Sequence, residues 1–166
     1  MTGLGPVGLS SVMLSVSSGA EVLAVDLIEE RLDLAQQIGA RHTVRGGGSA
    51  LEQVMALTYA KGTEVCIDCS GSNQGRLLCL RTARNSGRVV YPGEGGAVTF
   101  EPSPLLLHKK LSLYGSWVCG LAAMEELAEH LVRRNVHPQR TPRPIYAHCN
   151  QLFMLIRLSL AGRVGR

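Results

Sequence analysis

Gly3-Leu4-Gly5-Pro6-Val7-Gly8 runs directly into the apolar stretch Leu9-Ser10-Ser11-Val12-Met13-Leu14, and Asp26 closes Glu21-Val22-Leu23-Ala24-Val25-Asp26 eighteen positions after Gly8. Glycines in a G-x-G-x-x-G pattern, a helix, a strand and an acid in that register form a dinucleotide-binding fingerprint. One glycine, Gly3, allows the tight turn from strand to helix. A second, Gly5, lets backbone N–H groups approach a pyrophosphate, and the third, Gly8, lets the helix pack closely on the sheet. The helix N-terminus, opened by Pro6 and Val7, then holds phosphate charge. Asp26 would accept hydrogen bonds from both adenosine ribose hydroxyls and repel a 2′-phosphate, which favours NAD over NADP.

The fingerprint ordinarily follows a strand of about five residues, and only Met1 and Thr2 precede Gly3. The first strand is therefore expected to be missing. In a doubly wound sheet of order 3-2-1-4-5-6 that strand is central and buried on both faces. Two or three such side chains contribute roughly 1.5–3 kcal/mol each, against a whole-domain stability of about 5–15 kcal/mol. A marginal fold is the expectation.

Outward from the fingerprint, short β-branched runs alternate with amphipathic segments, the signature of a parallel sheet covered on both faces. The first helix is expected over Val7 to Ser18, and a second over Glu29 to Ile38 with Gly39 as its stop. His42 to Val44 reads as a short strand. Arg45-Gly46-Gly47-Gly48-Ser49 reads as a loop whose Ser49 caps a helix over Ala50 to Tyr59. A strand over Glu64 to Cys69, a helix over Asn73 to Arg84, and strands over Gly87 to Tyr91 and Leu111 to Ser116 follow. Leu121 to Arg134 carries Met124, Leu127, Ala128 and Leu131 at helical spacing. Beyond it His137-Pro138 through Pro144 reads as a linker, and Gln151 to Ala161 as a helix apolar almost all round that needs a partner. The division expected is a dinucleotide-binding unit over 1–136 and a linker with a further remnant over 137–166.

The chain has 166 residues, 45% of them hydrophobic and 18% charged, which reads as one soluble globular domain. The net charge of +4 rests on scattered basic residues, so no nucleic-acid partner is expected. No apolar run approaches the roughly 20 residues that cross a bilayer, and the expectation is a cytoplasmic protein without membrane contact. Five cysteines, an odd number, read as reduced thiols. Cys66 and Cys69 share a strand-like run, where residues three apart point to opposite faces, so their C-x-x-C spacing makes no metal site. His108, His130 and His137 read as solvated surface side chains.

The blocks Thr2-Gly3-Leu4-Gly5-Pro6-Val7-Gly8-Leu9, Ala24-Val25-Asp26, Asp68-Cys69-Ser70-Gly71, Gly87-Arg88-Val89-Val90 and His108-Lys109-Lys110-Leu111-Ser112-Leu113-Tyr114-Gly115-Ser116 together resemble the cofactor-binding half of the zinc-dependent medium-chain alcohol and polyol dehydrogenases, which include sorbitol and threonine dehydrogenases. The resemblance spans nearly the whole chain. It implies a Rossmann-like α/β fold, a doubly wound parallel sheet here lacking its first strand, with a partial C-terminal helical extension from the catalytic domain. It also implies that Gly5, Pro6 and Val7 line the pyrophosphate, that Asp26 holds the adenosine ribose, and that Arg31 lies near the adenine. Ser70 and Gly71 would follow the strand beside the cofactor. Pro92-Gly93-Glu94 and Gly115-Ser116-Trp117 would present backbone groups to the nicotinamide carboxamide.

In that family, zinc and its cysteine and histidine ligands belong to a separate N-terminal domain, and no residue here matches them. The resemblance therefore implies an NAD-binding portion of an oxidoreductase acting on CH–OH groups, without catalysis of its own. The alternative from another class is a non-catalytic truncated isoform that binds a nucleotide or a protein, with self-association through a sheet edge or the C-terminal helix.

Overall fold

Helix α1 (Pro6–Ser17), strand β1 (Leu23–Asp26), helix α2 (Glu29–Gln37) and strand β2 (His42–Arg45) form the first half of a computed structural model that describes residues 1–118 and 120–137. Helix α3 (Ala50–Leu57), strand β3 (Thr63–Ile67), helix α4 (Asn73–Thr82), strands β4 (Ala83–Tyr91) and β5 (Ser112–Gly115), and helix α5 (Leu121–Arg133) complete it. Every strand pair is parallel, β1 with β2 on one side and β3 with β4 and β4 with β5 on the other.

Residues 1–3 join these two groups. Thr2 bridges both Val25 and Asp68 in parallel register. The N–H of Gly3 donates to Val25 O at 2.9 Å and that of Val25 to Met1 O at 2.8 Å, while Thr2 N–H donates to Ile67 O and Cys69 N–H to Thr2 O, both at 2.8 Å. The central position of the sheet, expected to be empty, is thus held at its carboxyl end by three residues. The resulting order, β2-β1-(1–3)-β3-β4-β5, is that of the doubly wound sheet.

Alternation along the strands distributes the core to two faces. Ala24 joins Leu4, Val12, Leu32 and Ala35 in one cluster with α1 and α2, and its neighbour Val25 joins Val44, Ala50 and Val54 beneath α3. Cys66 likewise packs with Cys79, Leu80 and Val89, while Ile67 packs with Val90. Helix α1 lies in the core although it is rich in serine. Ser11 Oγ satisfies itself on Val7 O at 2.9 Å, and small side chains permit close helix–sheet approach.

Several local expectations shift. Ser49 stands at the N-cap of α3 but makes no cap hydrogen bond to the backbone. Its hydroxyl instead accepts from Gln53 Nε2 at 2.9 Å. Helix α4 ends at Thr82, and β4 already starts at Ala83, with Lys109 Nζ donating to the carbonyls of Leu80 at 2.7 Å and Arg81 at 3.0 Å. A cation at a helix C-terminus satisfies carbonyls that the helix leaves open. A π-helical turn over Ser103–Leu107 was not foreseen. The linker after His137, the apolar segment 151–161 and the proposed boundary at 136 lie outside the described residues, or at their edge. Among the described residues no helix is long and apolar enough to cross a membrane.

Helix α5 packs on α1 through Leu127 and Leu14, flanked by Met13, Ala123 and Leu131. His130, read above as solvated, is half-buried and hydrogen-bonded, with Nε2 3.0 Å from Ser17 Oγ. Because Ser17 Oγ donates to Leu14 O at 2.8 Å, the ring nitrogen is the donor to Ser17. Burial first, then Arg134 and Arg133, hold His130 below its ordinary value. A histidine with a depressed folded value binds protons more readily in the unfolded chain, so its contribution is present above about pH 6.5 and is lost as pH falls towards the folded value. The melting temperature is expected to drop more between pH 7 and pH 5 in the wild type than in His130→Gln. Equal slopes would remove His130 from the account.

Candidate functional site

The carboxyl ends of the parallel strands lie at one edge of the sheet with the start of α1, at the point where chain order reverses. In open α/β sheets this crevice is where ligands bind. Gly3 has φ +78°, and a Cβ there would lie 2.5 Å from the Ser70 nitrogen. A Cβ on Gly8 would lie 1.8 Å from Gly3 O. The first and last glycines are therefore required by contact between α1, the turn and the loop after β3. Gly5 differs, because a Cβ there would meet nothing within 4 Å.

Gly5 is also the N-cap of α1, and no side chain caps the helix, whose first turn begins with Pro6. The N–H groups of that turn have no intrahelical partner. An uncapped helix start facing open space suits an anion, and the positive end of the helix dipole adds to the attraction.

Asp26 ends β1 and is 8% exposed. Its carboxylate accepts from Leu4 N–H at 2.5 Å and from Ile28 N–H at 3.0 Å, and Arg31 lies 3.7 Å away. It thus ties β1 to the glycine turn. A carboxylate has about four acceptor positions, so two backbone donors leave capacity for a ligand hydroxyl pair. Arg31 is positioned by this ion pair, on the first turn of α2.

Asp68 is the residue that sequence reading did not single out as part of the site. It is fully buried and accepts from Thr2 Oγ1 at 2.8 Å, Ser70 Oγ at 2.6 Å, Ser70 N–H at 3.2 Å and Gly71 N–H at 3.0 Å. Arg76 approaches it at 3.8 Å and donates to Gly93 O and Gly96 O, both at 2.9 Å. One carboxylate and one guanidinium thereby join residue 2, the loop 70–72 and the loop 92–96. Gly71, at φ +66°, is needed because a Cβ would lie 1.9 Å from Glu94 O. Tyr91 closes the group, its ring 5.6 Å from the Arg76 guanidinium and its hydroxyl donating to Arg76 O at 2.9 Å. Burial, followed by the nearby Cys79 and Asp68, pushes the phenol above its ordinary value. The only signal in the sequence was an acid opening the block Asp68-Cys69-Ser70-Gly71.

Gly93 N–H donates to Asp68 O at 2.9 Å, and Ser116 N–H to Tyr91 O at 3.2 Å. These bonds bring Pro92-Gly93-Glu94 and Gly115-Ser116-Trp117 to the same edge, with Trp117 57% exposed. The residues named from sequence therefore share one rim.

Cys66 and Cys69 face opposite sides, as the strand period requires. Cys66 contacts Thr63 and Thr82, and Cys69 contacts Ser11 and Met1. Burial pushes the Cys69 thiol up to about 12, which keeps it protonated and inert. Among the described residues, no three His, Cys, Asp or Glu side chains converge to hold a metal ion. Among the described residues, the glycine turn, the open start of α1 and the Asp26 carboxylate are the groups that could hold a dinucleotide, and none of them forms a zinc ligand set.

An all-parallel sheet wound with helices on both faces, with a glycine turn and an uncapped helix at its switch point, defines a Rossmann-like α/β domain. The chain belongs to the zinc-binding dehydrogenase family, whose pattern matches residues 6–133. It is 40% identical over 141 residues to an uncharacterized zinc-type alcohol dehydrogenase-like protein, YphC, of Escherichia coli, covering 84% of this chain and 40% of that protein. An L-threonine 3-dehydrogenase of Bacillus licheniformis is 38% identical over 91 residues, covering 54% of this chain and 26% of the relative. Among solved structures, the alcohol dehydrogenase of Aeropyrum pernix superposes with a TM-score of 0.78 at 28% identity, over 99% of this chain and 47% of that one. The chain thus spans less than half the length of each of these proteins.

Proposed function

We propose that the chain is the NAD-binding portion of a zinc-type alcohol or polyol dehydrogenase and does not catalyse hydride transfer by itself. The observation that carries this reading is the uncapped start of α1 at Gly5, open to solvent and flanked by the Asp26 carboxylate. Gly5, Pro6 and Val7 would hold the pyrophosphate through backbone N–H groups, and Asp26 the adenosine ribose. Loops 92–94 and 115–117 would orient the nicotinamide end through their backbone. Bound NAD supplies the hydride acceptor. What these residues do is bind and orient, and no side chain at the rim is offered as an acid or base for the reaction.

Trp117, the only tryptophan, reports on this. Titration with NADH is expected to quench its emission saturably, and NADPH to do so more weakly. Absence of saturation with either nucleotide would overturn the reading. Asp26→Asn is expected to weaken NADH binding about tenfold, equivalent to about 1.4 kcal/mol, and to narrow the gap to NADPH. An unchanged NADH/NADPH ratio in that variant would remove Asp26 as the selector.

A second reading, a protein-binding isoform, is favoured by one observation. Leu113 on β5, together with Trp117, Val118 and Leu121 just beyond it, is exposed at 39% to 72%. Exposed apolar side chains at a sheet edge mark association surfaces. Sedimentation of the 166-residue chain tests it, and a monomer throughout the micromolar range would count against it.

A further inference from the structure

Arg76 stands on the first turn of α4, its side chain only 13% exposed beside the wholly buried Asp68 carboxylate. An arginine in that position ordinarily forms a two-pronged pair with the acid. This one does not. Its two terminal nitrogens donate to Gly93 O and Gly96 O, both at 2.9 Å, while Nε, 3.8 Å from Asp68 Oδ2, is buried without a hydrogen-bond partner. A buried donor left unpaired is costly, so the placement of the guanidinium follows the loop carbonyls and not the carboxylate. Asp68 is satisfied instead by the Ser70 hydroxyl and the N–H groups of Ser70 and Gly71.

The loop so held has little else to fix it. Pro92 is buried, but residues 94–96 are exposed, and Gly95 and Gly96 have φ of +99° and +48°, in a stretch whose glycines leave the backbone free. Among the described residues, the other hydrogen bond that ties 92–96 to the sheet is Gly93 N–H to Asp68 O. Arg76 also meets the strand end that precedes the loop, since its own carbonyl accepts from the Tyr91 hydroxyl at 2.9 Å and its guanidinium lies 5.6 Å from the Tyr91 ring. Tyr91 is in turn paired with Gly115 and accepts from Ser116 N–H. One side chain therefore refers both rim loops, 92–96 directly and 115–117 through Tyr91, to the start of α4.

We propose that Arg76 is a positioning residue for the nicotinamide half of the dinucleotide. The inference rests on the NAD reading above, in which loops 92–94 and 115–117 face that half. Gly5, Pro6, Val7 and Asp26, which would hold the adenosine and pyrophosphate half, are not hydrogen-bond or ion-pair partners of Arg76. Its loss should therefore divide the cofactor, weakening the grip on one end and sparing the other. Lysine cannot replace it, because a single ammonium on a flexible stem does not span two carbonyls as a planar fork does.

Calorimetric titration of the folded 166-residue chain with NADH, and separately with ADP-ribose, which lacks the nicotinamide, tests this. The wild type is expected to bind NADH about tenfold more tightly than ADP-ribose. Arg76→Lys keeps a positive charge beside Asp68 and is expected to lower NADH affinity about fivefold while changing that for ADP-ribose by less than about twofold. A general loosening of the fold would weaken both ligands alike, and that result, or an unchanged NADH affinity, would overturn the inference. Equal wild-type affinity for the two ligands would do so as well. Wild type that binds neither removes the NAD reading itself, and this inference with it. Should Arg76→Lys not fold, Tyr91→Phe decides: it deletes the hydroxyl bond to Arg76 O but leaves the fork, and a loss of about threefold confined to NADH is expected.

Discussion

Gly8→Ala is expected to cost on the order of 3 kcal/mol or more, enough to abolish most of the cooperative unfolding transition of a domain this size. The added Cβ would lie 1.8 Å from Gly3 O and 2.8 Å from Gly3 C. Relief requires movement of α1 or of the turn. The turn is held on one side by the Gly3 N–H bond to Val25 O and on the other by contact with Ser70. Helix α1 is held by Leu4 and Val12 in the core beneath it and by Leu127 above. Gly5→Ala, three positions earlier, is the internal control. Its Cβ meets nothing, so stability should change by no more than about 0.5 kcal/mol, while NADH affinity falls about tenfold because the methyl group occupies the pyrophosphate approach. Urea unfolding and the Trp117 titration separate the two effects. A Gly8→Ala protein melting within about 2 °C of the wild type would contradict the packing account, and unchanged NADH affinity in Gly5→Ala would contradict the phosphate account.

Asp68→Ala is expected to cost about 3–5 kcal/mol, the range for breaking a buried ion pair from one side. The carboxylate is wholly buried, and its removal strands Thr2 Oγ1, the Ser70 hydroxyl and the Gly71 N–H, besides the Arg76 guanidinium. Asp68→Asn keeps the shape but turns one acceptor into a donor facing donors, for a loss of about 1–3 kcal/mol. The larger substitution should also release loops 70–72 and 92–96 together, since Arg76 links Asp68 to Gly93 and Gly96. Faster amide exchange in both loops in a still-folded variant would show that coupling. A loss below about 1 kcal/mol in Asp68→Ala would mean that the donors find other partners.

Much of the fold was readable because its determinants are local. Gly39 after α2, the apolar spacing of α5 and the alternation in β1 are each decided within a few residues by helix or strand geometry. The π-helical turn at Ser103–Leu107 was missed because Pro102 and Pro104 break the periodicity on which a helix assignment depends. Ser49 was in the right place without its expected bond, because an N-cap residue can direct its hydroxyl to a side chain instead. His130 looked solvated in a helix of mixed charge, and only the packing of α5 on α1 gave it Ser17 as a partner.

By itself the sequence determined the order of strands and helices, the parallel class of the sheet, and the glycine turn with Asp26 at its edge. These depend on residue type and spacing along short windows, where backbone sterics and side-chain period leave few alternatives. Only the tertiary structure decided that Met1–Gly3 join the two halves of the sheet and that Asp68 and Arg76 tie Thr2 to the loops 70–72 and 92–96. Thr2 and Asp68 are 66 positions apart, and no local period carries such a pairing. It exists because burial forces every polar group at the strand ends to find a partner among whichever chains the fold has brought there.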